Sequence, residues 1–296
     1  MAVGKGRADL HVHTHASDGL LSPEAVVELA TRRGLAAIAI ADHDSVLGFE
    51  PARARGAQLG LRVLAAVEIS TEVNGCEIHL LGYAMSRLDW LHALLSPLRE
   101  ARAVRARSML ERLSALGMPV AWERVVELAG GGVLGRPHIA RAMVERGYVR
   151  SPLEAPENYL ARGRPAYIPR HRLTPTAAVA AVRRAGGVPV LAHPGSGPSD
   201  PVIRELGRQG LRGLEVYHPC HGLGDVAHYL RLAQEHGWCV TGGSDFHGSG
   251  EGEGGDLGSC TVGVETVEEL EAEAQAIRDG TDPAACGREG DTPTAG

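Results

Sequence analysis

Ala8-Asp9-Leu10-His11-Val12-His13, with Asp18 shortly after it, is the stretch on which the fold turns. The apolar pattern of residues 8–12 reads as a strand. Residues two apart on a strand share a face, so His11 and His13 project together. A helix follows to about residue 33, opened by Ser22-Pro23-Glu24 with serine as N-cap and proline in the first turn, and closed by Gly34. A strand that ends in imidazole and feeds a helix is therefore the unit to follow along the chain.

It recurs. Residues 35–41 form a buried strand leading into Asp42-His43-Asp44, residues 51–59 a helix, and residues 62–67 a third strand ending at Glu68. Residues 76–83 form a fourth strand, with His79 in it or near its end. The pattern then breaks: 90–116, 122–129 and 136–146 read as helices, punctuated by Gly130-Gly131-Gly132 and Gly147, with no convincing strand. Alternation resumes with helix 175–185, strand 188–192 ahead of His193-Pro194, helix 200–209, and strand 213–216 ahead of His218 and His221. Helix 225–236, strand 239–241 ahead of Ser244-Asp245-Phe246-His247, and a helix around 267–277 complete it. Strands alternating with helices imply parallel βα units. An open doubly wound sheet satisfies the same alternation. Imidazole or carboxylate just past strand after strand favours an α/β barrel, whose strand C-termini open on one rim where active sites lie. The barrel is assigned to residues 1–90 and 168–279, a helical insertion to 91–167 and a tail to 280–296. The tail and the Gly-rich acidic stretch 251–255 read as mobile.

The chain has 296 residues, 44% hydrophobic and 22% charged, which excludes disordered, collagen-like and coiled-coil classes. No apolar run approaches the roughly 20 residues of a membrane helix, and residues 1–10 are too polar for a signal peptide. A soluble, cytoplasmic protein with no membrane partner is expected. Five cysteines without CxxC spacing fit reduced thiols. A net charge of -6 opposes whole-surface attraction to nucleic acid, so stable double-stranded DNA binding is not expected. No obligate protein partner is implied. Neutral imidazoles mixed with carboxylates suit Mn, Fe or Zn better than Mg or Ca. Six histidines with Asp18, Glu68 and Asp245 exceed what one ion can use, so two or three divalent ions are expected. Their uncompensated charge would favour a phosphate and acidify a bridging water. Singly, HxH, Asp42-His43-Asp44 or His193-Pro194 could each be a cap, a turn or a satisfied core residue; as a set in chain order they are not read that way.

The set resembles the PHP (polymerase and histidinol phosphatase) family of metal-dependent phosphoesterases. The matching elements are Asp9-Leu10-His11-Val12-His13, Ala16-Ser17-Asp18-Gly19, Ala41-Asp42-His43-Asp44, Glu68-Ile69-Ser70, His79, Ala192-His193-Pro194-Gly195 and Gly243-Ser244-Asp245-Phe246-His247. Within the family the chain is similar to the TrpH-like branch of 3',5'-nucleotide bisphosphate phosphatases and 5'-to-3' exoribonucleases. The supporting stretches are Gly135-Arg136-Pro137-His138-Ile139-Ala140, Tyr159-Leu160 to Pro165-Ala166-Tyr167, and Glu215-Val216-Tyr217-His218-Pro219-Cys220-His221. The resemblance implies a distorted (β/α)7 barrel and three metal sites. His11, His13, Glu68 and Asp245 would hold the first metal and Asp18, His43 and His247 the second. Glu68, His79 and His193 would hold the third, with Glu68 bridging. The family often has histidine where this chain has Asp18, a variant typical of this branch. Asp42 and Asp44 are expected to orient His43 or neighbouring imidazoles.

The expected reaction is in-line attack on phosphorus by a metal-bound hydroxide, most naturally with Mn. Asp245, His218 and His221 are the catalytic candidates, the last two as proton donors or substrate contacts. A second phosphate calls for guanidinium forks, and Arg136 with His138 leads, followed by Arg162, Arg164 and Arg170. The other insertion arginines, Arg99, Arg102, Arg105 and Arg107, are expected on a solvated helix face. The leading function is hydrolysis of a phosphate ester of a 3',5'-bisphosphonucleotide such as pAp, or of the 5' nucleotide of a short RNA. A small-metabolite phosphatase acting on histidinol phosphate is the rival enzyme class. A non-catalytic nucleic-acid-binding or polymerase-accessory module is the rival from another class.

Overall fold

The repeated strand–helix unit closes on itself. The computed structural model describes residues 6–73, 76–169, 172–248 and 254–281. Most of the tail, most of the 251–255 stretch and Arg170 lie outside the described residues. Strands β1 (Arg7–Val12), β2 (Ala37–Ile40), β3 (Arg62–Val73) and β4 (Cys76–Tyr83) lie side by side in chain order. They are followed by β5 (Val188–Leu191), β6 (Gly213–Tyr217) and β7 (Cys239–Gly242), while the two-residue β8 (Val262–Gly263) flanks β1. The result is a distorted (β/α)7 barrel with one short extra strand.

The two-residue β8 pairs antiparallel with Arg7 and Ala8 on the free edge of β1. The seam between β7 and β1 is stitched just past the strand ends, where Val12 bridges Phe246 and His13 N–H donates to the Phe246 carbonyl at 2.9 Å. Gly243 permits this approach, because a Cβ there would lie 2.3 Å from the His11 nitrogen.

One expectation of strand direction is corrected. β4 is antiparallel to both β3 and β5, with Ser70 opposite His79 and Glu72 opposite Glu77. Reversal explains how a residue in the first half of β4 reaches the rim that the other strands reach with their last residues. β3 also runs past Glu68 to Val73, longer than its apolar pattern suggested, because its outer half is held by the hairpin.

Helices α1 (Pro23–Arg32), α2 (Phe49–Leu59), α6 (Pro175–Arg184), α7 (Asp200–Arg208), α8 (Leu223–His236) and α9 (Glu265–Asp279) surround the sheet. Between β4 and α6 come α3 (Leu88–Ala115), α4 (Trp122–Ala129) and α5 (Arg136–Glu145). α1 begins as its sequence dictates, the Ser22 hydroxyl accepting from the Ala25 N–H. Burial divides by face: Ile38 and Ile40 pack with Val26 and Val27 of α1, whereas Ala37 and Ala39 join Leu10, Leu81 and Val267. The α3–α5 segment packs an apolar cluster of its own around Met109, Leu113, Ile139 and Met143. No helix among the described residues is long and apolar enough to cross a membrane.

Candidate metal centre

β1 loses register with β2 between Asp9 and Val12. Such an irregularity re-aims side chains, and here His11 and His13 enter the rim side by side, ring centres 5.1 Å apart. Glu68, from β3, lies between the groups contributed by the other strands. Its Oε2 is 3.4 Å from His11 Nε2, 3.3 Å from His13 Nε2 and 2.9 Å from His43 Nδ1. Its Oε1 is 2.9 Å from His79 Nδ1 and 3.1 Å from His193 Nε2. Asp245 closes the first group, with Oδ1 at 3.4 Å from His11 Nε2 and 3.0 Å from His13 Nε2. Asp18 collects another: His247 Nε2 at 3.4 Å, His13 Nδ1 at 3.8 Å and His43 Nε2 at 3.9 Å. The structure thus brings all nine sequence-assigned ligand residues onto one rim.

The donor atoms fit divalent metal. His11 Nε2, His13 Nε2, His43 Nδ1, Asp18 Oδ1, Glu68 Oε2 and Asp245 Oδ1 are buried without a hydrogen-bond partner. Leaving so many polar atoms unsatisfied is costly unless something else meets them. Ligands held at about 2.1 Å from a common ion stand roughly 3.0–3.4 Å from each other, which is the spacing found around Glu68 and Asp245. Three of the rim's residues also hold strained backbone, with positive φ at Asp44 (51°), His193 (25°) and Asp245 (53°). Such conformations persist where surrounding contacts enforce them.

Hydrogen bonds fix which nitrogen faces inward. Glu215 Oε1 accepts from His11 Nδ1 at 2.9 Å, so the His11 Nε2 lone pair is presented to the rim. Asp245 backbone oxygen does the same for His247 through Nδ1, at 2.7 Å. Burial alone would depress the His13 imidazole; Asp245 and Glu68 outweigh it and hold it at about 10. Burial would likewise raise Glu68, and His43, His79 and His11 instead keep it well below the usual carboxylate range.

The two further histidines separate. Cys220 N–H donates to His218 Nδ1 at 3.2 Å, which in the neutral ring leaves the proton on Nε2. That Nε2 is buried, lacks a hydrogen-bond partner and lies 3.6 Å from Asp245 Oδ2. His221 is held at both nitrogens, Nδ1 by the Val216 carbonyl at 2.8 Å and Nε2 by the Gly195 N–H at 3.0 Å.

Several expectations around the site are corrected. Among the described residues Asp42 meets no imidazole directly; it accepts from Thr14 N–H, the Thr14 hydroxyl and the Ser17 hydroxyl at 2.6–2.8 Å, holding the loop that carries Asp18, and reaches His13 only through Ser17 Oγ, 3.4 Å from His13 Nδ1. Asp44 accepts from Ser70 N–H at 3.0 Å and pairs with Arg102 at 2.6 Å. Arg102 and Arg105 are therefore not on a solvated face; they are 7% and 8% exposed, because buried acceptors of the barrel and of the chain's return draw them inward. Arg99 is half-buried against His92, whereas Arg107 is exposed, as expected, and lies over the Trp122 ring. Among the substrate candidates, Arg136 pairs with Glu77 at 3.2 Å, while Arg162 and Arg164 are exposed. His138 is buried, its Nδ1 accepting from the Gly135 N–H at 3.1 Å as a cap of α5, and burial lowers it to about 4.

Glu215, within the matching stretch Glu215–His221, has a role in the site that its sequence motif does not assign. Its signal was present: a carboxylate inside the apolar strand Gly213–Tyr217, fully buried, must be paired. Besides His11 it accepts the His193 N–H at 2.8 Å. Arg172, tying Glu72 to Glu77 at 3.0 and 2.8 Å, was also overlooked.

A PHP-domain profile matches residues 9–120. The chain is 33% identical over 257 residues to a 3',5'-nucleoside bisphosphate phosphatase of Chromobacterium violaceum, covering 84% of this chain and 90% of that protein. It is 34% identical over 258 residues to the 5'-3' exoribonuclease Rnm of Salmonella typhimurium, covering 81% and 84%. A solved structure from Bifidobacterium adolescentis, described as a metal-dependent phosphoesterase, superposes with a TM-score of 0.83 at 33% identity, over 90% of this chain and 95% of that one.

Proposed function

The chain belongs to the PHP family of metal-dependent phosphoesterases, and on that footing we propose that it hydrolyses phosphate esters of 3',5'-bisphosphonucleotides and of the 5' end of short RNAs. The observation that carries this is Glu68, whose two oxygens face two separate imidazole groups while buried atoms of His11, His13, His43, Asp18 and Asp245 around it lack hydrogen-bond partners. His11, His13, Glu68 and Asp245 would hold one ion, Asp18, His43 and His247 a second, and Glu68, His79 and His193 a third. Manganese suits this donor set, as iron and zinc do. Divalent ions there supply Lewis-acid polarisation of phosphoryl oxygens and an acidified water.

The chain's own groups do the rest. Glu215 keeps the His11 lone pair aimed at the rim. His218 presents its Nε2–H beside Asp245 and is assigned to a substrate contact, donating a hydrogen bond to a phosphoryl oxygen or to the departing ribose oxygen. His221 has no ring nitrogen to spare and is assigned to holding the loop after β6. Arg136 faces the same side of the barrel through Glu77 and is assigned to the second phosphate. The cytoplasm, where unbridged cysteines persist, suits such a substrate.

Phosphate release is measured with the manganese-loaded protein on adenosine 3',5'-bisphosphate, AMP, a 5'-phosphorylated oligoribonucleotide and histidinol phosphate. Preference for the bisphosphate or the oligonucleotide supports the proposal. Turnover of histidinol phosphate with none of the nucleotides overturns it.

A further inference from the structure

Gly130, Gly131 and Gly132 follow one another between α4 and α5, but glycine is needed for two different reasons. Gly130 caps α4 in the left-handed region at φ 56°, Gly131 follows at φ 87°, and a Cβ on either would meet open space. These two serve the turn itself. Gly132 lies outside the left-handed region, yet a Cβ there would overlap the His15 carbonyl oxygen and stand 2.8 Å from the Ser17 carbonyl oxygen. Its requirement is lateral, because only bare backbone can come this close to residues 15–17.

Those residues belong to the loop that carries Asp18. One side of the loop is fastened to the barrel, where the Ser17 hydroxyl donates to Asp42 at 2.6 Å. The other side is fastened to the α3–α5 segment. Val133 N–H donates to the Ala16 carbonyl at 3.3 Å, and Arg141 of α5 donates Nη2 to the Asp18 carbonyl at 2.9 Å. Gly132 is the contact that sets how near the segment comes to its acceptors. Beyond the loop, Asp18 faces His247 Nε2 at 3.4 Å and His43 Nε2 at 3.9 Å. His43 and His247 follow β2 and β7 of the barrel, whereas the loop of Asp18 is shared between the barrel and the α3–α5 segment.

We propose that Gly132 is a positioning residue for the second metal ion. It lets the α3–α5 segment seat against the loop, and that seating holds Asp18 where Asp18, His43 and His247 share an ion. The inference rests on the three-ion reading above. The ions on either side of Glu68 draw on residues in the strands or at their ends, so they do not depend on the seating. A carbon rests no closer than about 3.3 Å from a carbonyl oxygen, so Gly132→Ala must part the loop and the segment by roughly an ångström. Metal ligands tolerate displacements of only about 0.2 Å.

Gly132→Ala and Gly130→Ala are compared as metal-loaded full chains. Gly130→Ala strains the turn without touching the loop, so it shows what a merely structural loss does. Manganese content is measured by elemental analysis and ion positions by anomalous diffraction. Hydrogen exchange of the metal-stripped proteins is followed on peptides spanning residues 14–19. Gly132→Ala is expected to lose the peak among Asp18, His43 and His247, to keep both peaks beside Glu68, and to exchange about tenfold faster in the loop. Gly130→Ala is expected to melt at a lower temperature with all three peaks and the loop's exchange unchanged. Three full peaks in Gly132→Ala, equal loss from all three sites, or the same selective loss in Gly130→Ala overturns the proposal. A Gly132→Ala chain that does not fold also overturns it, by making the residue part of the core rather than the seat of the loop. If the wild type holds no ion at Asp18, the three-ion reading fails, while the exchange comparison still decides whether Gly132 seats the loop.

Discussion

Replacing Glu215 by glutamine exchanges one oxygen for an amide nitrogen and reverses one hydrogen bond. The carboxylate accepts at both ends: Oε1 from His11 Nδ1 at 2.9 Å and Oε2 from the His193 N–H at 2.8 Å. An amide accepts at one end only. The backbone N–H of His193 cannot change its role, so the amide oxygen turns to it and the amide N–H faces His11 Nδ1. His11 must then accept at Nδ1 and carry its proton on Nε2, the atom that faces Glu68 and Asp245 at 3.4 Å. One lone pair is lost from the metal rim with no change in side-chain volume. Partners of this kind are worth about 10- to 100-fold in metal affinity, or about 1.4–2.7 kcal/mol. The assay is manganese titration of metal-stripped Glu215→Gln by calorimetry, with circular dichroism to check the fold. Affinity within about threefold of wild type, in a folded variant, would refute the tautomer reasoning.

Three other outcomes are expected. His218→Ala should lower kcat by about 10²–10⁴ while elemental analysis finds metal content unchanged; loss of metal would make His218 a ligand instead. Arg102→Ala removes the guanidinium that pairs with the buried Asp44 carboxylate and should cost about 3–5 kcal/mol in urea unfolding; a cost under about 1 kcal/mol would show that the pair is not held as the geometry indicates. In metal-free protein, burial opposes the raising of His13 and His79, and facing carboxylates (Asp245 and Glu68, Glu68 and Glu77) prevail, holding them at about 10 and 9. A raised imidazole stabilises the fold below its unfolded value near 6.5 and loses that contribution as pH rises through the folded value. The melting temperature of the stripped protein should therefore fall between pH 7 and 10, while metal affinity rises over the same window as protons leave the ligands. A stripped protein whose melting temperature is flat or rising over that window contradicts this.

The rim was legible because most of the side chains proposed as ligands sit at or just past a short apolar run, so strand ends could be located by periodicity and the polar residues that follow them identified. The direction of β4 was not read, although Asn74-Gly75 between two strand-like runs is a hairpin signature. Strand–helix alternation elsewhere set the expectation of a parallel strand. Arg102 and Arg105 were misplaced for a different reason. Charge on a helix ordinarily marks a wet face, and the acceptors that bury them, Asp44 and the Ile168 carbonyl, are about 60 residues away in the chain. Long-range pairing of that kind leaves no local pattern. Asp42 was assigned to the imidazoles because it adjoins His43, yet adjacent residues on extended chain point to opposite faces, and its partners are Thr14 and Ser17.

Anomalous diffraction from crystals grown with manganese measures the central claim most directly. The account predicts peaks on both sides of the Glu68 carboxylate, one among His11, His13 and Asp245 and another beside His79 and His193, with a further peak bounded by Asp18, His43 and His247. A map with no manganese within bonding reach of Glu68 would contradict it.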